Sequence, residues 1–488
     1  MTNPEIQTEV DLKKSAPSIG SIGKWQNRLN QSVDVLPLVY FRLVFGFMML
    51  VEVYRYFTHG WIQRYYISPE FLFKYYGFEW VQPLPGIGMY LHFLCMGVLA
   101  VLIMLGLWYR WVMPLFFVSF TYVFLLDESN YLNHFYLICL VSFVLIFLPL
   151  NRFASLDVGR RPELQLDRVP VWTLWLLRFQ IAIPYVYGGI AKVNGDWLRG
   201  EPMREWLGRR TDFAFIGPYF QEEWLVYAFS YGGLLFDLLI VPMLLWRRTR
   251  WLAFAWVFAF HMLNNQLFSI GIFPWFMLLA TPLFFPDDTL RKVLNKFNLG
   301  LAAVRSTSSA PSHCFYLGRA GLVGLYLFIA FNVLIPFRHF LYPGNVSWTE
   351  EGHRFAWHMK LRDKDGITEF QLVDRGTGEE WCVDPDDYLS SRQQRKMPTR
   401  PGMILQFGHY LGQKWRDKGY DNIEVYANAE ACLNSRPYQT LIDPNVDLMK
   451  VSRFLKPATW VLPLDDETGR LTSHMLRAEH LTVHETDQ

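Results

Sequence analysis

The stretch VWTLWLLRFQIAIPYVYGGIAKVNGDWLRG, residues 171–200, decides how the chain reads. Residues 171–192 are almost wholly apolar and run as long as the roughly 20 residues that a helix needs to cross a bilayer. They close on Lys192 and give way at once to the polar segment Asn194-Gly195-Asp196-Trp197. Comparable runs lie at about 36–57, 88–107, 111–126, 131–150, 224–246, 251–268, 271–285 and 317–340, so the spacing predicts eight or nine spans. Pro282 and Pro286 interrupt the run at 271–285. Arg42, Glu52, Arg178 and Asp237 stand alone inside spans, where an ionised group facing lipid is costly. They are expected to face the interior and to pair with one another.

Beyond the last run the pattern changes. Thr368–Val373, Glu380–Val383 and Ile423–Val425 favour β-branched or alternating residues, and Asp365-Gly366 and Arg375-Gly376 are turn signals. A helix is expected after Pro401, through about Trp415. The fold class is therefore a polytopic α-helical membrane bundle followed by a small β-rich α+β extramembrane domain. The division expected is a polar tail at 1–34, a transmembrane domain at 35–342, the β-rich domain at 343–455 and a second tail at 456–488.

Composition agrees. Hydrophobic residues make up 52% of the chain and charged ones 18%, below the roughly 25% of soluble proteins. A formal net charge of +2 argues against a nucleic-acid partner. Five cysteines without C-x-x-C spacing exclude a disulfide scaffold or zinc ribbon; Cys382 and Cys432 either pair or remain thiols. No cleavage site follows Lys13, Lys14, Lys24 and Arg28, so the first run is expected to stay as an anchor. With nine spans, roughly sixteen basic residues gather on the N-terminal side and about seven on the other. The N-terminus is then cytoplasmic, with the C-terminal domain and the site on the periplasmic or lumenal side.

Four constellations could carry chemistry. In Asp127–Leu137, Asn133 and His134 open a span at its outer end; His134 is either an interfacial histidine or a functional one. Lys192, at the same outer side, either snorkels to water or is held in the dry interior as an amine neutral enough to take a proton. Gly188, Gly189 and Ala191 would let neighbouring helices close around it. The third group is His261 with Asn264, Asn265 and Gln266, which either bond a buried loop or line a polar cavity. His261 and His134 have no zinc-type spacing and no metal is expected. In the fourth, alternation makes Trp357, Met359 and Leu361 one face of a strand, as domain core or against an apolar ligand.

These segments, taken in order over residues 36–455 with Asp374–Glu379 and Ile442–Asp447, resemble the vitamin K-dependent γ-carboxylase family with its HTTM domain. The resemblance implies that Lys192, followed by Asp196-Trp197, is the base that activates vitamin K hydroquinone. It implies that His134 after Asn133 assists at the reacting centre, and that Trp357 and Met359 help form the quinol and peptide site. O2 and CO2 would be co-substrates, peptide glutamate would become γ-carboxyglutamate, and the quinol would leave as its epoxide. Such a cofactor carries the chemistry because no protein base can remove the γ-hydrogen of glutamate. A lipid-tailed quinol would reach the site from the bilayer, and a quinone reductase would recycle it. Arg209, Arg210, Arg362, His261, Asn264, Asn265 and Gln266 are the candidates to bind the substrate carboxylate or peptide. Arg362 stands where the animal enzymes carry a histidine, and Lys360 where they carry a second methionine. Two other readings stay open: quinol epoxidation without carboxylation, and a non-enzymatic HTTM protein of peptide export or maturation.

Overall fold

A backbone in hydrocarbon has no water to bond, so each apolar run satisfies its own N–H and C=O groups by coiling. The structure, a computed structural model, describes residues 21–268, 270–296, 315–453 and 455–465. The tail expectations for 1–20 and 466–488 lie outside the described residues. Among the described residues, five helices are long and apolar enough to cross a membrane: α1 (Leu36–Thr58), α2 (Gly88–Leu105), α5 (Val171–Lys192), α6 (Glu223–Leu245) and α9 (Arg319–Leu334), which runs on as a tighter turn to Leu341. Shorter apolar helices are α3 (Tyr109–Leu125), α4 (Asn133–Ile146) and α8 (Phe273–Ala280), the last extended by the turn Thr281–Phe284. Helix α7 (Arg250–Phe268) packs between α6 and α8.

The lone charges of the spans do not pair with one another as expected. The Arg42 guanidinium donates to the carbonyls of Leu150 (2.9 Å) and Ala154 (2.5 Å). Arg178 likewise donates to Leu283 and Phe285. Glu52 takes Arg55 one turn along its own helix, at 2.6 Å. Asp237 takes Lys192. Loop carbonyls at helix ends lack intrahelical donors, which makes them ready partners for an arginine brought in from a span.

A two-stranded ribbon, β1 (Ser32–Asp34) with β2 (Arg168–Pro170), closes one end of the bundle. The extramembrane part is an antiparallel sheet of β3 (Lys364–Asp374), β4 (Glu380–Val383), β5 (Ile423–Leu433) and β6 (Gln439–Thr440), in the order β4-β3-β5-β6. Strands β3 and β5 pair over their whole length, from Lys364↔Leu433 to Asp374↔Ile423. Ile423, Val425, Ala427, Ala429, Ala431 and Leu433 alternate inward beneath α10 (Pro401–Arg416). β5 outruns the expected Ile423–Val425 because its alanines carry little strand preference of their own. Cys382 and Cys432 are both free. They sit opposite Gln371 and Asp365 of β3, far enough apart along the strand, at about 3.3 Å per residue, that no disulfide can join them.

The strand expected through Trp357–Leu361 is not there: β3 begins only at Lys364. Glu350, Phe355, Trp357 and Lys360 all take left-handed backbone, with φ of 67°, 64°, 60° and 50°. An extended path cannot pass through such residues, so the segment folds into successive turns over the end of the bundle. Trp357 enters the bundle core against Tyr136, ring centroids 5.0 Å apart. In return, Phe73 from the bundle side enters the core of the sheet domain. Each part plugs the other.

Candidate active site

Helix α5 ends at Lys192 because Val193 leaves helical geometry and Asn194 caps the next turn, its side chain accepting from the Trp197 N–H at 3.0 Å. The turn brings the Trp197 ring beneath the lysine, with Nζ 5.2 Å from the ring centroid. Lys192 is 6% exposed, so its amine does not snorkel to water. Nζ bonds the carboxylate of Asp237 on α6 and, more weakly, the Gly188 carbonyl at 3.4 Å. The amine expected to stand alone is half of a pair. Sequence reading noted Asp237 as a lone charge in a span and missed it as this partner. Gly188 leaves the room: a β-carbon there would lie 3.1 Å from Asp237 Oδ2 and 3.3 Å from the Met359 methyl. At Gly233 of α6 the Lys192 stem passes 4.0 Å from where a β-carbon would sit.

His134 lies in the first turn of α4, its ring against Phe273 of α8 at 5.9 Å. Asn133 accepts from the Tyr131 hydroxyl at 2.9 Å and donates to the His358 carbonyl at 3.3 Å. Tyr131 in turn accepts from the Phe355 N–H, so the start of α4 holds the Phe355–His358 turns in place. His261 is buried on α7, its Nε2 2.7 Å from the Tyr185 hydroxyl. It also faces Phe273, at 6.1 Å, so both histidines border the same aromatic wall.

A cavity of about 900 Å³ joins these groups. Lys192, Asp237, His134, Asn133, His261, Asn264, Met359 and Arg362 all line it. Trp357 is adjacent but packed into the core. Arg209, Arg210, Asn265 and Gln266 are not among its lining residues. Arg209 points outward to Glu205 and Asp363, and Arg210 is spent on the Gln266 and Leu267 carbonyls. Part of the lining is aromatic and small: Tyr185, Phe229, Phe260 and Phe273 with Ala228, Gly232 and Ala259.

The lining is also cationic, and the sequence did not announce it. Eight Lys and Arg residues line the cavity (55, 192, 354, 360, 362, 392, 396 and 400) against three carboxylates, Glu52, Asp237 and Glu350. Glu52 serves Arg55, Asp237 serves Lys192, and Glu350 serves Arg362; Arg354 uses Glu128, just outside, at 2.5 Å. Lys360 lies over the rings of Trp206 and Phe268, each at 5.1 Å. The charge of Arg400, and then burial, push the Lys396 amine well below the ordinary lysine range. Burial first, then Arg354, pushes Arg400 down to about 9. Both depart from their ordinary values because like charges share a poorly hydrated space.

Pockets of roughly 300–1,000 Å³, mostly apolar with a few placed polar groups, are those that hold cofactors. This one offers aromatic walls, small residues on the α6 and α7 faces, and one buried amine–carboxylate pair. It fits a hydroxylated aromatic ring with an apolar tail. Lys192, Asp237, His134 and Met359 would hold the ring, and Ala228, Gly232 and Ala259 would leave space for the tail. No solved structure matches the chain. The HTTM domain family matches residues 30–288, more than half of the chain. The family described as vitamin K-dependent gamma-carboxylase, lumenal domain, matches residues 318–467. With the two matched in this order, and with the cavity walled by both, the chain belongs to the vitamin K-dependent γ-carboxylase family.

Proposed function

We propose that this protein carboxylates peptide glutamate to γ-carboxyglutamate, using vitamin K hydroquinone, O2 and CO2, with epoxidation of the quinol. By class it is a peptidyl-glutamate 4-carboxylase, a carbon–carbon lyase. The observation that carries the reading is the buried Lys192–Asp237 pair in one cavity with His134 and Met359. When bound, reduced vitamin K supplies with O2 the base strength that a protein side chain lacks. Lys192 is the group that holds and moves a proton, at Nζ. Asp237 Oδ2 stands at bonding distance to share it, and the pair keeps zero net charge whichever atom carries the proton. A proton can therefore shift there without leaving a separated charge in an apolar space. His134, fixed against Phe273, presents its imidazole to the same space. Asn133 positions the turn that carries Met359, and Trp357 seals that turn against water. Arg362, His261 and Asn264 remain the candidates for substrate contact from the earlier set.

The accompanying membrane arrangement is eight or nine spans over 35–342, with the N-terminus cytoplasmic and residues 343–455 on the lumenal or periplasmic side. A quinone reductase would return the oxidised cofactor. The test is mass spectrometry of glutamate-containing peptides after incubation with reduced vitamin K, O2 and labelled bicarbonate. A gain of one labelled carboxyl group is expected. Quinol epoxide without any labelled peptide would overturn the carboxylase reading.

A further inference from the structure

We propose that His353, His358 and His339 form a proton relay, which carries the proton released in each turnover from the Lys192 cavity to a second cavity on the side of the sheet domain. The need for a relay rests on the carboxylase reading. Oxidation of the quinol by O2 to epoxide and water is neutral in protons, but carboxylation is not. When the γ C–H bond of glutamate breaks and a C–C bond to CO2 forms, the products are one further carboxylate and one H+. That proton has to leave a cavity whose lining already holds more cations than carboxylates.

The second cavity, of about 530 Å³, lies where the end of α5 and the tail of α9 meet the sheet domain. Arg199 and Asn345 in its lining are exposed, which opens it to water. Among the described residues only His358 and Leu361 line both cavities. Leu361 cannot carry a proton; His358 can. His353 lines the Lys192 cavity and His339 the second one, and their ring centroids lie 5.1 and 4.9 Å from that of His358. At this spacing neighbouring ring edges reach each other directly or through one water. His358 is 8% exposed, and its Nδ1 has no hydrogen-bond partner among the described residues. A buried nitrogen without a partner calls for a use. The His339 Nδ1–H donates to the Pro336 carbonyl at 2.8 Å, which leaves Nε2 as the acceptor of that ring.

Burial, then His339, pushes His358 down to about 4; burial, then His358 and Arg400, pushes His353 well below the ordinary imidazole range. Both therefore rest neutral, the form that takes a proton at one nitrogen and releases another from the opposite one. Glu350, 3.9 Å from His353 Nδ1, offsets the charge in passing, while Arg354, Arg400 and Lys364 keep it from staying. Local structure fixes the spacing of the rings. Arg338 donates to the Arg354 carbonyl at 2.8 Å and so ties the neighbour of His339 to the neighbour of His353. Gly352, with φ of 74°, lets the two segments touch, since a β-carbon there would lie 2.5 Å from His339 Cα. Asn133 holds the His358 carbonyl from α4.

The test uses the full chain in nanodiscs of phosphatidylcholine. Without cofactor or peptide, nitrogen NMR of histidine-labelled protein reads the exchange of the His353 ring N–H with solvent. His358→Gln, similar in shape but unable to pass a proton, is expected to slow that exchange about tenfold or more. With reduced vitamin K, O2, CO2 and peptide in dilute buffer, the same variant should lose about a hundredfold in kcat and keep its quinol KM within about twofold, as for a placed proton-transfer group. Added imidazole, entering the second cavity from water, should restore part of the loss. His339→Gln should behave alike, and it carries the test if His358→Gln does not fold. Unchanged exchange, unchanged kcat, a loss that imidazole does not relieve, or a loss that extra CO2 does relieve would overturn the relay. Slowed exchange in the variant, with no carboxylation by wild type, would count against the function alone. Carboxylation by wild type, with unaltered exchange in the variant, would count against the relay alone.

Discussion

Replacing both members of the Lys192–Asp237 pair is expected to harm stability less than replacing either one. After Asp237→Leu, Nζ keeps only the Gly188 carbonyl at 3.4 Å and the Trp197 ring at 5.2 Å. After Lys192→Met, the Asp237 carboxylate has lost the only donor recorded for it among the described residues. Breaking a buried pair from one side costs about 3–5 kcal/mol, because a polar group is left behind without a partner. In the double variant Met follows the path of the lysine stem past Gly233, and Leu occupies the room beside Gly188. Apolar side chains of similar volume in place of a buried pair are often neutral or stabilising, so the double variant should lie within about 1.5 kcal/mol of wild type. The four proteins would be compared in mixed micelles by unfolding with SDS, alongside assays of epoxidation and carboxylation. The double variant should be stable and inactive. If instead its loss equals the sum of the two single losses, the residues do not interact, and the proton-sharing role falls with the pair.

Lys192→Ala should lower epoxidation by about 10²–10⁴-fold, with partial recovery on adding a small primary amine; full activity without the amine would remove the assignment of the base. Gly188→Ala places a β-carbon 3.1 Å from Asp237 Oδ2 and 3.3 Å from the Met359 methyl. Steady-state kinetics should show quinol kcat/KM reduced about tenfold, at a stability cost of roughly 1 kcal/mol from overpacking; wild-type kinetics would mean that the contact is slack. A pH effect is expected at the domain junction. Burial alone would raise the Asp196 carboxyl, but hydrogen bonds from Arg436 and Asn434, with the charges of Arg436 and Arg199, outweigh it and hold the group below its ordinary 3.8. A depressed carboxyl contributes stability above its unfolded pKa and loses it as pH falls through the folded value. The thermal midpoint of wild type should therefore fall more steeply than that of Asp196→Asn below about pH 4; parallel curves would refute the linkage.

Much of this molecule was legible before it was folded. The apolar runs located the helices, and Lys192, His134 and Met359 stood out as residues that later met at one cavity. What escaped depends on tertiary register. Asp237 was visible as a charge in a span, yet nothing local says that it faces a residue 45 positions earlier. The turns at Phe355, Trp357 and Lys360 carry no glycine to announce left-handed backbone, so alternation suggested a strand that does not form. Arg209 and Arg210 looked like carboxylate binders by position, but a nearby acid and two helix-end carbonyls claim them. The cations at 392, 396 and 400 sat in an ordinary polar stretch. Only their meeting on one cavity lining, far from Lys192 in sequence, sets them apart.

The exchange of Trp357 for Phe73 bears on how the protein is made. Synthesis delivers the helices first, and until the later sheet has formed and seated, the chamber beside Lys192 lacks one of its sides and stays flooded. The proposed chemistry, which water would quench, therefore waits for the sheet domain to seat. A copy lacking the seated sheet would sit in the membrane as an open vessel, expected to be inactive in the proposed reaction.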